Sequence, residues 1–282
     1  MTKARTNASA SSAVGRNMVI NGAMNISQRA TSVTGIGAAA GYFTCDRWKI
    51  VPGATAGRLT LTQTADGPNG ISANCLKLDC TTADTSIAAT EFLVIQQSIE
   101  GHNLQRIGNG VVGAQQITVS FYVKASAAFT FGVELDNRDN DRQCTKLFNT
   151  TTDWVRHEVI FPADVDDGSS PFDDDNAAGL NLNFWIHAGA NYTGGTLNTA
   201  AFANITSANR AVGIDSFFSD AANNFFLTGV QMEVGPVATE FEQEDIGTTE
   251  NKCFRYFQKF TSGGAVYQTY GIGLNYATTN WA

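Results

Sequence analysis

Apolar and polar residues alternate with a period of two along most of this chain. In residues 117–124, for example, every second side chain is apolar, so a strand there would have one apolar and one polar face. Clusters of Gly, Asn and Asp separate such runs, and no long amphipathic helical pattern is present. The runs that predict strands are 18–20, 42–50, 58–64, 74–80, 91–101, 115–125, 129–136, 154–161, 180–187 and 225–234, whereas the small residues of 31–41 predict a loop. Many short strands at this spacing predict an all-β sandwich or barrel.

Both ends of the sequence depart from this pattern. Residues 1–16 are small and polar, which predicts a flexible arm: either a disordered leader or a segment that becomes ordered on docking to a larger assembly. The main body then covers 17–236. Residues 237–282 begin with acidic residues and continue with aromatic ones, and they are too few to form a core alone. We expect this extension to pack on the main body or on a neighbouring subunit, as a short β extension or the start of a second β segment.

Composition and charge exclude several functions. Charged residues make up 16% of the chain, and the formal net charge is -8, which argues against nucleic acid as a partner. No apolar run is long enough for a membrane-spanning helix, and no apolar segment typical of a signal peptide follows the first residues. The five cysteines lack the C-x-x-C spacing of zinc or redox sites, so we expect free, mostly buried thiols in a protein folded in a reducing cytoplasm.

Several blocks of sequence resemble one known family. The first contains Asn17, Ile20-Asn21-Gly22 and Gln28-Arg29, followed by Asp46-Arg47-Trp48. Further blocks are Gln96-Gln97-Ser98-Ile99-Glu100-Gly101, Gly229-Val230-Gln231-Met232-Glu233-Val234-Gly235 with Ala238-Thr239-Glu240-Phe241-Glu242, and Cys253-Phe254-Arg255-Tyr256-Phe257-Gln258. Together they resemble the carbohydrate-binding-module-like jelly-roll proteins of tailed, marine-type bacteriophages, the tail-fibre and appendage family.

This resemblance implies a jelly-roll β-sandwich and a structural, non-enzymatic role in a bacteriophage virion. The implied protein is a tail-fibre-type appendage subunit, a homotrimer assembled with other virion proteins, with possible recognition of host surface polysaccharide and no membrane insertion. One alternative is a capsid decoration protein on the head surface. A second is a bacterial carbohydrate-binding module.

The polar face of the run 180–187 is the sharpest candidate for a ligand site. Aromatic rings bind the C–H face of sugars, and neighbouring amide and imidazole groups bind the hydroxyls. The alternative is that Trp185 packs under a loop or against another subunit. Outward positions on the run 115–125 complete the set. The candidate ligand-binding residues are Asn181, Asn183, Trp185, His187, Tyr122 and Lys124.

Two further patterns bear on chemistry. The loop 164–176 contains six carboxylates, and Asp164, Asp166 and Asp173 could hold a structural calcium ion, although a solvated loop explains the same composition. The three histidines lie on separate segments without metal-site spacing, so they predict no metal site. Since no nucleophile elbow or phosphate-binding loop is present either, no enzymatic activity and no cofactor other than this calcium is predicted.

Overall fold

A computed structural model describes residues 15–165 and 169–260, together with the backbone of two short strands near the end of the sequence. The strands are β1 (Ser32–Ile36), β2 (Lys49–Gly53), β3 (Arg58–Thr64), β4 (Cys75–Thr82), β5 (Phe92–Glu100), β6 (Ile117–Ala125), β7 (Thr130–Asn137), β8 (Arg142–Asn149), β9 (Val155–Phe161), β10 (Ala178–Ala188), β11 (Ala203–Asn204), β12 (Asn224–Val234), β13 (Asn275–Ala277) and β14 (Asn280–Trp281). The helices are α1 (Ala190–Thr193) and α2 (Ile246–Phe254), with short 3-10 turns at Gly101–Asn103, Gln105–Ile107, Ser207–Asn209 and Phe217–Ser219.

Two antiparallel six-stranded sheets form a sandwich. Sheet 1 has the order β1-β3-β4-β12-β6-β9, and sheet 2 has the order β11-β8-β7-β10-β5-β2. The central quartets β4-β12-β6-β9 and β5-β10-β7-β8 have the strand order of a jelly roll built from two Greek keys. The predicted all-β jelly-roll sandwich is therefore confirmed.

The core lies between the two sheets, on the faces that alternation predicts. On β10, the side chains in the core between the sheets are Leu180, Leu182, Phe184 and Ile186; on β6, they are Ile117, Val119, Phe121 and Val123. Phe121 of sheet 1 and Phe184 of sheet 2 meet edge to face, with ring centroids 5.0 Å apart. These aromatic contacts join the sheets through the dispersion and hydrophobic terms that dominate such cores.

Three segments differ from the sequence prediction. Strand β8 was not predicted, because the polar residues Gln143 and Thr145 are buried in it and interrupt the alternation of apolar and polar positions. The main chain of Asn198 covers Thr145, since the Thr145 N–H donates to the Asn198 carbonyl at 2.8 Å. Strand β1 lies in a stretch expected to be a loop. Residues 18–20, expected to be a strand, instead form a turn before Asn21, which has a left-handed φ of 58°.

The extension contains a helix as well as the predicted β structure. Asp245 caps helix α2, since its side chain accepts a hydrogen bond from the Thr248 N–H at 3.2 Å. Strands β13 and β14 form a separate antiparallel pair. Residues 1–14 of the predicted arm lie outside the described residues. Among the helices that are described, none has the length and apolar character needed to cross a lipid bilayer.

The five cysteines are free and buried, as predicted. Burial raises the pKa of the Cys75 and Cys253 thiols to about 12. Both thiols therefore stay protonated at neutral pH and act as small apolar groups in the fold.

Candidate functional site

The predicted ligand face of β10 is covered by the chain itself. Residues 189–216, which we call the cover segment, pack across this face of sheet 2. Only 2% of Trp185 is exposed, and its ring packs against Phe92 and Tyr192 at centroid distances of 5.8 and 5.4 Å. Ala211 of the cover segment completes this small apolar cluster. The alternative expected from the sequence, in which Trp185 packs under a loop, describes the observed arrangement.

Arg210 of the cover segment occupies the polar part of the same face. Its guanidinium donates to both oxygens of Glu134, each at 2.7 Å, and to Asp136 at 3.2 Å. The Asn183 amide and the Trp185 indole N–H also donate to Glu134, at 2.9 and 2.8 Å. Burial alone would lower the pKa of Arg210, but the two carboxylates outweigh it and raise the pKa, so the arginine stays charged. The chain thus satisfies the polar groups that would otherwise bind sugar hydroxyls.

The other predicted ligand residues lie elsewhere. Tyr122 and Lys124 belong to β6 of sheet 1, whereas Asn181, Asn183, Trp185 and His187 belong to β10 of sheet 2. Lys124 forms an ion pair with Asp66 at 2.7 Å, and its ammonium lies 4.7 Å from the centre of the Phe226 ring. The ligand role of these six residues remains a prediction, and a ligand would reach Trp185 only if the cover segment moved.

The acidic loop has a mainly structural arrangement where it is described. Asp164 is buried, and its carboxylate receives two hydrogen bonds of 3.0 Å from the Arg142 Nε. Asp173 is exposed, and Asp166 lies outside the described residues. The structural calcium ion remains a prediction; the described contacts of Asp164 are explained by the arginine.

The sequence blocks that carry the family resemblance contact one another in the fold. Asn17 lies beside β12, where its side-chain amide donates to the Val230 carbonyl at 3.1 Å and its oxygen accepts from the Met232 N–H at 3.0 Å. The Met18 N–H donates to the Met232 carbonyl at 2.9 Å. The segment before β1 is thereby attached to the last strand of the jelly roll, more than 200 residues later.

Asn21 connects the two parts of the first block, residues 17–29 and residues 46–48. Its amide donates to the carbonyls of Ile26 and Asp46, at 2.9 and 3.0 Å, while its own carbonyl accepts from the Trp48 indole at 3.1 Å. Gln97 on β5 exchanges two hydrogen bonds with the main chain of Ile20, at 2.8 and 3.0 Å.

The last block docks against the same network. Arg47 lies over the Tyr256 ring, with its guanidinium carbon 3.4 Å from the ring centroid, and Arg255 pairs with Glu100 at 3.0 Å. The carboxylate of Glu242 accepts from the main-chain N–H of Asn17 at 2.9 Å. We call this connected set of blocks the clasp. It consists of residues 15–29, 46–48, 97–100, 230–242 and 253–257.

A groove of about 700 Å³ opens beside the clasp. It is lined by Gly15, Asn17, Met18, Ile20, Glu100, His102, Asn103, Gln105, Arg106, Lys252, Arg255 and Tyr256. Its floor is held in place by hydrogen bonds from Arg106 to the carbonyls of Gly15 and Arg16, at 3.0 and 2.7 Å. His102 pairs with Asp174 at 2.8 Å.

The electrostatics of the groove combine both signs of charge with neutral polar groups. Burial lowers the pKa of Arg106, and the nearby Glu242 carboxylate opposes this shift. Burial raises the pKa of Tyr256, with Arg47 opposing, so the phenol stays protonated. The pKa of Arg255 is raised by its hydrogen bond to Glu100. A ligand in this groove therefore meets hydrogen-bond donors and acceptors around an aromatic ring.

Sequence reasoning missed this groove. Glu100, Arg255 and Tyr256 belong to the resemblance blocks, but nothing in their spacing shows that they are neighbours, because β5 and the segment after α2 are some 150 residues apart. The sequence nevertheless indicated that some charged residues are partly buried. Arg47 and Glu100 occur beside strongly apolar runs, and a charged side chain in such a place needs a partner.

Comparisons with known proteins give similarities in structure alone. No protein-family model matches the chain, and no curated protein matches it. Among solved structures, the xylan-binding CBM22-1 domain of Paenibacillus barcinonensis Xyn10C is 13% identical, with a TM-score of 0.34, covering 81% of this chain and 100% of that domain. TmCBM61 in complex with β-1,4-galactotriose is 9% identical, with a TM-score of 0.38 and coverages of 78% and 99%. A family 30 carbohydrate-binding module is 11% identical, with a TM-score of 0.37 and coverages of 83% and 95%. Identities and TM-scores this low imply neither a ligand nor a binding site for this chain.

Proposed function

We propose that this jelly roll is a non-catalytic glycan-binding module that takes its ligand in the groove beside the clasp. The observation that carries the proposal is the groove itself. Its volume of about 700 Å³ lies within the range of about 300–1,000 Å³ that is typical of ligand sites. The face around Trp185, in contrast, is filled by the cover segment.

The side chains of the groove suit a sugar. Tyr256 is half-buried and is held by Arg47, so its ring is fixed in position against the groove. Asn103 is exposed and makes no hydrogen bond to the described part of the chain, which leaves its amide available to a hydroxyl. Sugars are bound by such a combination of an aromatic ring with amide, imidazole and guanidinium groups.

The setting that we propose for this module is a bacteriophage appendage, most specifically a tail-fibre-type subunit. The clasp supports it, because blocks that resemble the appendage family at separate places in the sequence are in contact in the fold. Unrelated short matches would have no reason to form one network. A homotrimer on a virion would present several grooves, and multivalency would strengthen weak binding to host polysaccharide. A capsid decoration protein and a bacterial carbohydrate-binding module remain the alternatives.

Glycan-array binding by the purified protein tests the ligand. We expect wild-type binding to be lost in Tyr256→Ala and weakened in Asn103→Ala, and to persist in Tyr122→Ala, a matched tyrosine variant on β6, which does not line the groove. Because Tyr256→Ala also removes a contact of the clasp, thermal melting must show that each variant is folded. Loss of binding in Tyr122→Ala alone would place the site on sheet 1. Absence of binding by folded wild-type protein would overturn the glycan proposal.

Gold-labelled antibodies against this protein, applied to phage particles produced from a genome that encodes it, test whether the protein is a tail appendage. Label at the tail is the expected result, whereas label over the capsid lattice would favour decoration. A protein that binds glycan but is absent from particles would leave the binding module standing and overturn its appendage role.

A further inference from the structure

A second polar cluster lies far from the groove. It consists of Asp84 in the loop after β4, Glu91 just before β5, and His187 near the end of β10. Glu91 and the groove residue Glu100 flank opposite ends of β5, about 30 Å apart at the usual rise of a strand. The cluster and the groove are therefore independent sites.

The three side chains point their polar atoms at one another inside the protein. One possible ligand atom from each lies within 4.8 Å of the other two, and the His187 Nε2 is 3.6 Å from the Glu91 Oε2. His187 is 0% exposed and Glu91 is 5% exposed. Among the described residues, neither the His187 Nε2 nor the Glu91 Oε2 has a hydrogen-bond partner. Buried polar groups without a partner are costly, so two of them aimed at one point need an explanation.

No basic side chain provides that explanation. In the described part of the chain, no lysine or arginine nitrogen lies within 4.0 Å of the Asp84 or Glu91 carboxylate. Two buried carboxylates beside one imidazole therefore need either a cation or a proton between them.

The surroundings orient the three groups. The His187 Nδ1 lies 2.8 Å from the Ser216 hydroxyl, and when this nitrogen donates to Ser216 the Nε2 lone pair faces the carboxylates. The Asp84 Oδ2 accepts from the Thr55 hydroxyl at 3.0 Å and from the Ala56 N–H at 2.9 Å. Phe218 packs edge to face on the His187 ring, with centroids 5.2 Å apart. Metal-binding histidines and carboxylates are commonly fixed by such outer contacts.

We propose that Asp84, Glu91 and His187 form a structural site for a divalent cation of the zinc class. One imidazole nitrogen and two carboxylate oxygens are a ligand set for zinc, whereas calcium prefers oxygen ligands alone. Zinc bonds of about 2.0–2.2 Å place tetrahedral ligand atoms about 3.3–3.6 Å apart, and the His187 Nε2 and the Glu91 Oε2 are 3.6 Å apart. A bound ion would join the loop between β4 and β5 to the end of β10, beside the core residue Phe218.

The test begins with the metal content of the full chain. The protein is unfolded in urea that contains EDTA, freed of the EDTA while still in urea, refolded with or without ZnCl₂, desalted, and measured by elemental mass spectrometry. Refolding with CoCl₂ gives a second readout, since the d–d absorption bands of cobalt report its ligands. We expect one bound zinc or cobalt ion per chain and a melting temperature that rises with zinc. A wild-type protein that refolds without retaining either metal would overturn the proposal.

Two variants separate a cation from a shared proton. Glu91→Gln keeps the size and removes the charge, so we expect it to bind zinc at least tenfold more weakly and to lose the zinc-dependent rise in melting temperature. Glu158→Gln, the same change at an exposed glutamate of β9, is the matched control and should bind as wild type does. Unchanged zinc binding in Glu91→Gln would contradict the site, as would equal loss in Glu158→Gln.

Discussion

Arg210 lies against Trp185, with its guanidinium carbon 5.0 Å from the centre of the indole ring. The same guanidinium binds Glu134 and Asp136, so one side chain of the cover segment neutralises two buried carboxylates and covers an aromatic ring. On an open sheet, the face around Trp185 could stack against a sugar, but here it is buried under the cover segment.

Arg210→Ala should destabilise the protein strongly. The substitution leaves Glu134 buried without its cation, and breaking a buried pair in this way typically costs about 3–5 kcal/mol. Urea denaturation at pH 7 measures the change in the free energy of unfolding. Arg138→Ala is the control, because Arg138 is 44% exposed and lies 3.5 Å from Asp136; its loss should cost less than about 1 kcal/mol. Equal effects of the two variants would contradict a buried role for Arg210.

Asn17→Ala should weaken the clasp. The variant leaves the Val230 carbonyl and the Met232 N–H without their side-chain partners, and such losses cost about 1–3 kcal/mol. Urea denaturation again gives the free energy of unfolding. Asn103→Ala removes an exposed amide of the same type and should stay within about 0.5 kcal/mol of wild type. Equal free energies of unfolding for Asn17→Ala and Asn103→Ala would contradict a stabilising role of the clasp.

Gly22→Ala should displace the segment before β1. A Cβ atom at Gly22 would lie 2.0 Å from the Val230 carbonyl oxygen, which belongs to the backbone and cannot move aside cheaply. Forced contacts of this kind cost about 1–3 kcal/mol. In Gly247→Ala, the new atom would lie 3.2 Å from an oxygen of the capping side chain of Asp245, which can shift by a few tenths of an ångström. Gly247 itself lies in helix α2, and a helix favours alanine over glycine by about 1 kcal/mol. The melting temperature should therefore be lower in Gly22→Ala than in wild type, and it should not be lowered in Gly247→Ala.

The fold was predictable where side chains follow a strict alternation. Leu180, Leu182, Phe184 and Ile186 fall on the core face because the period of a strand alone assigns them to it. Strand β8 escaped prediction because its buried positions are polar, and their partners come from the cover segment more than 50 residues later.

The candidate sites were less predictable, for the same reason. Alternation correctly placed Asn181, Asn183 and Trp185 on one face, where the two amides and the indole meet the carboxylates of β7. It was wrong for His187, because the register of β10 shifts after Trp185, so that His187 pairs with the core residue Leu93 and packs on Phe218. Alternation also carries no information about what covers the face of Trp185. The burial of Trp185 depends on residues 189–216, which have no strand pattern of their own. The cluster of His187 with Asp84 and Glu91 joins residues about a hundred positions apart, which no spacing motif describes.

His157 should make stability depend on pH. Burial lowers its pKa below the ordinary value of 6.5, and its ring stacks on Phe121 at a centroid distance of 5.5 Å. As the pH falls below 6.5, His157 binds a proton in the unfolded chain, whereas in the folded chain it stays neutral until the pH reaches its lowered pKa. The free energy of unfolding therefore decreases as the pH falls through this range. His157→Phe should reduce the slope of this free energy between pH 7 and the lowered pKa. His102→Gln, at an exposed histidine, serves as the control; equal slopes in wild type and His157→Phe would contradict the prediction.

Hydrogen exchange with and without the glycan that binds most strongly on an array tests the central claim most directly. We predict slower exchange of amides in residues 100–106 and 252–256, which border the groove, and unchanged exchange in 120–124 and 189–216. Protection confined to the cover segment or to β6 would contradict a ligand site in the groove.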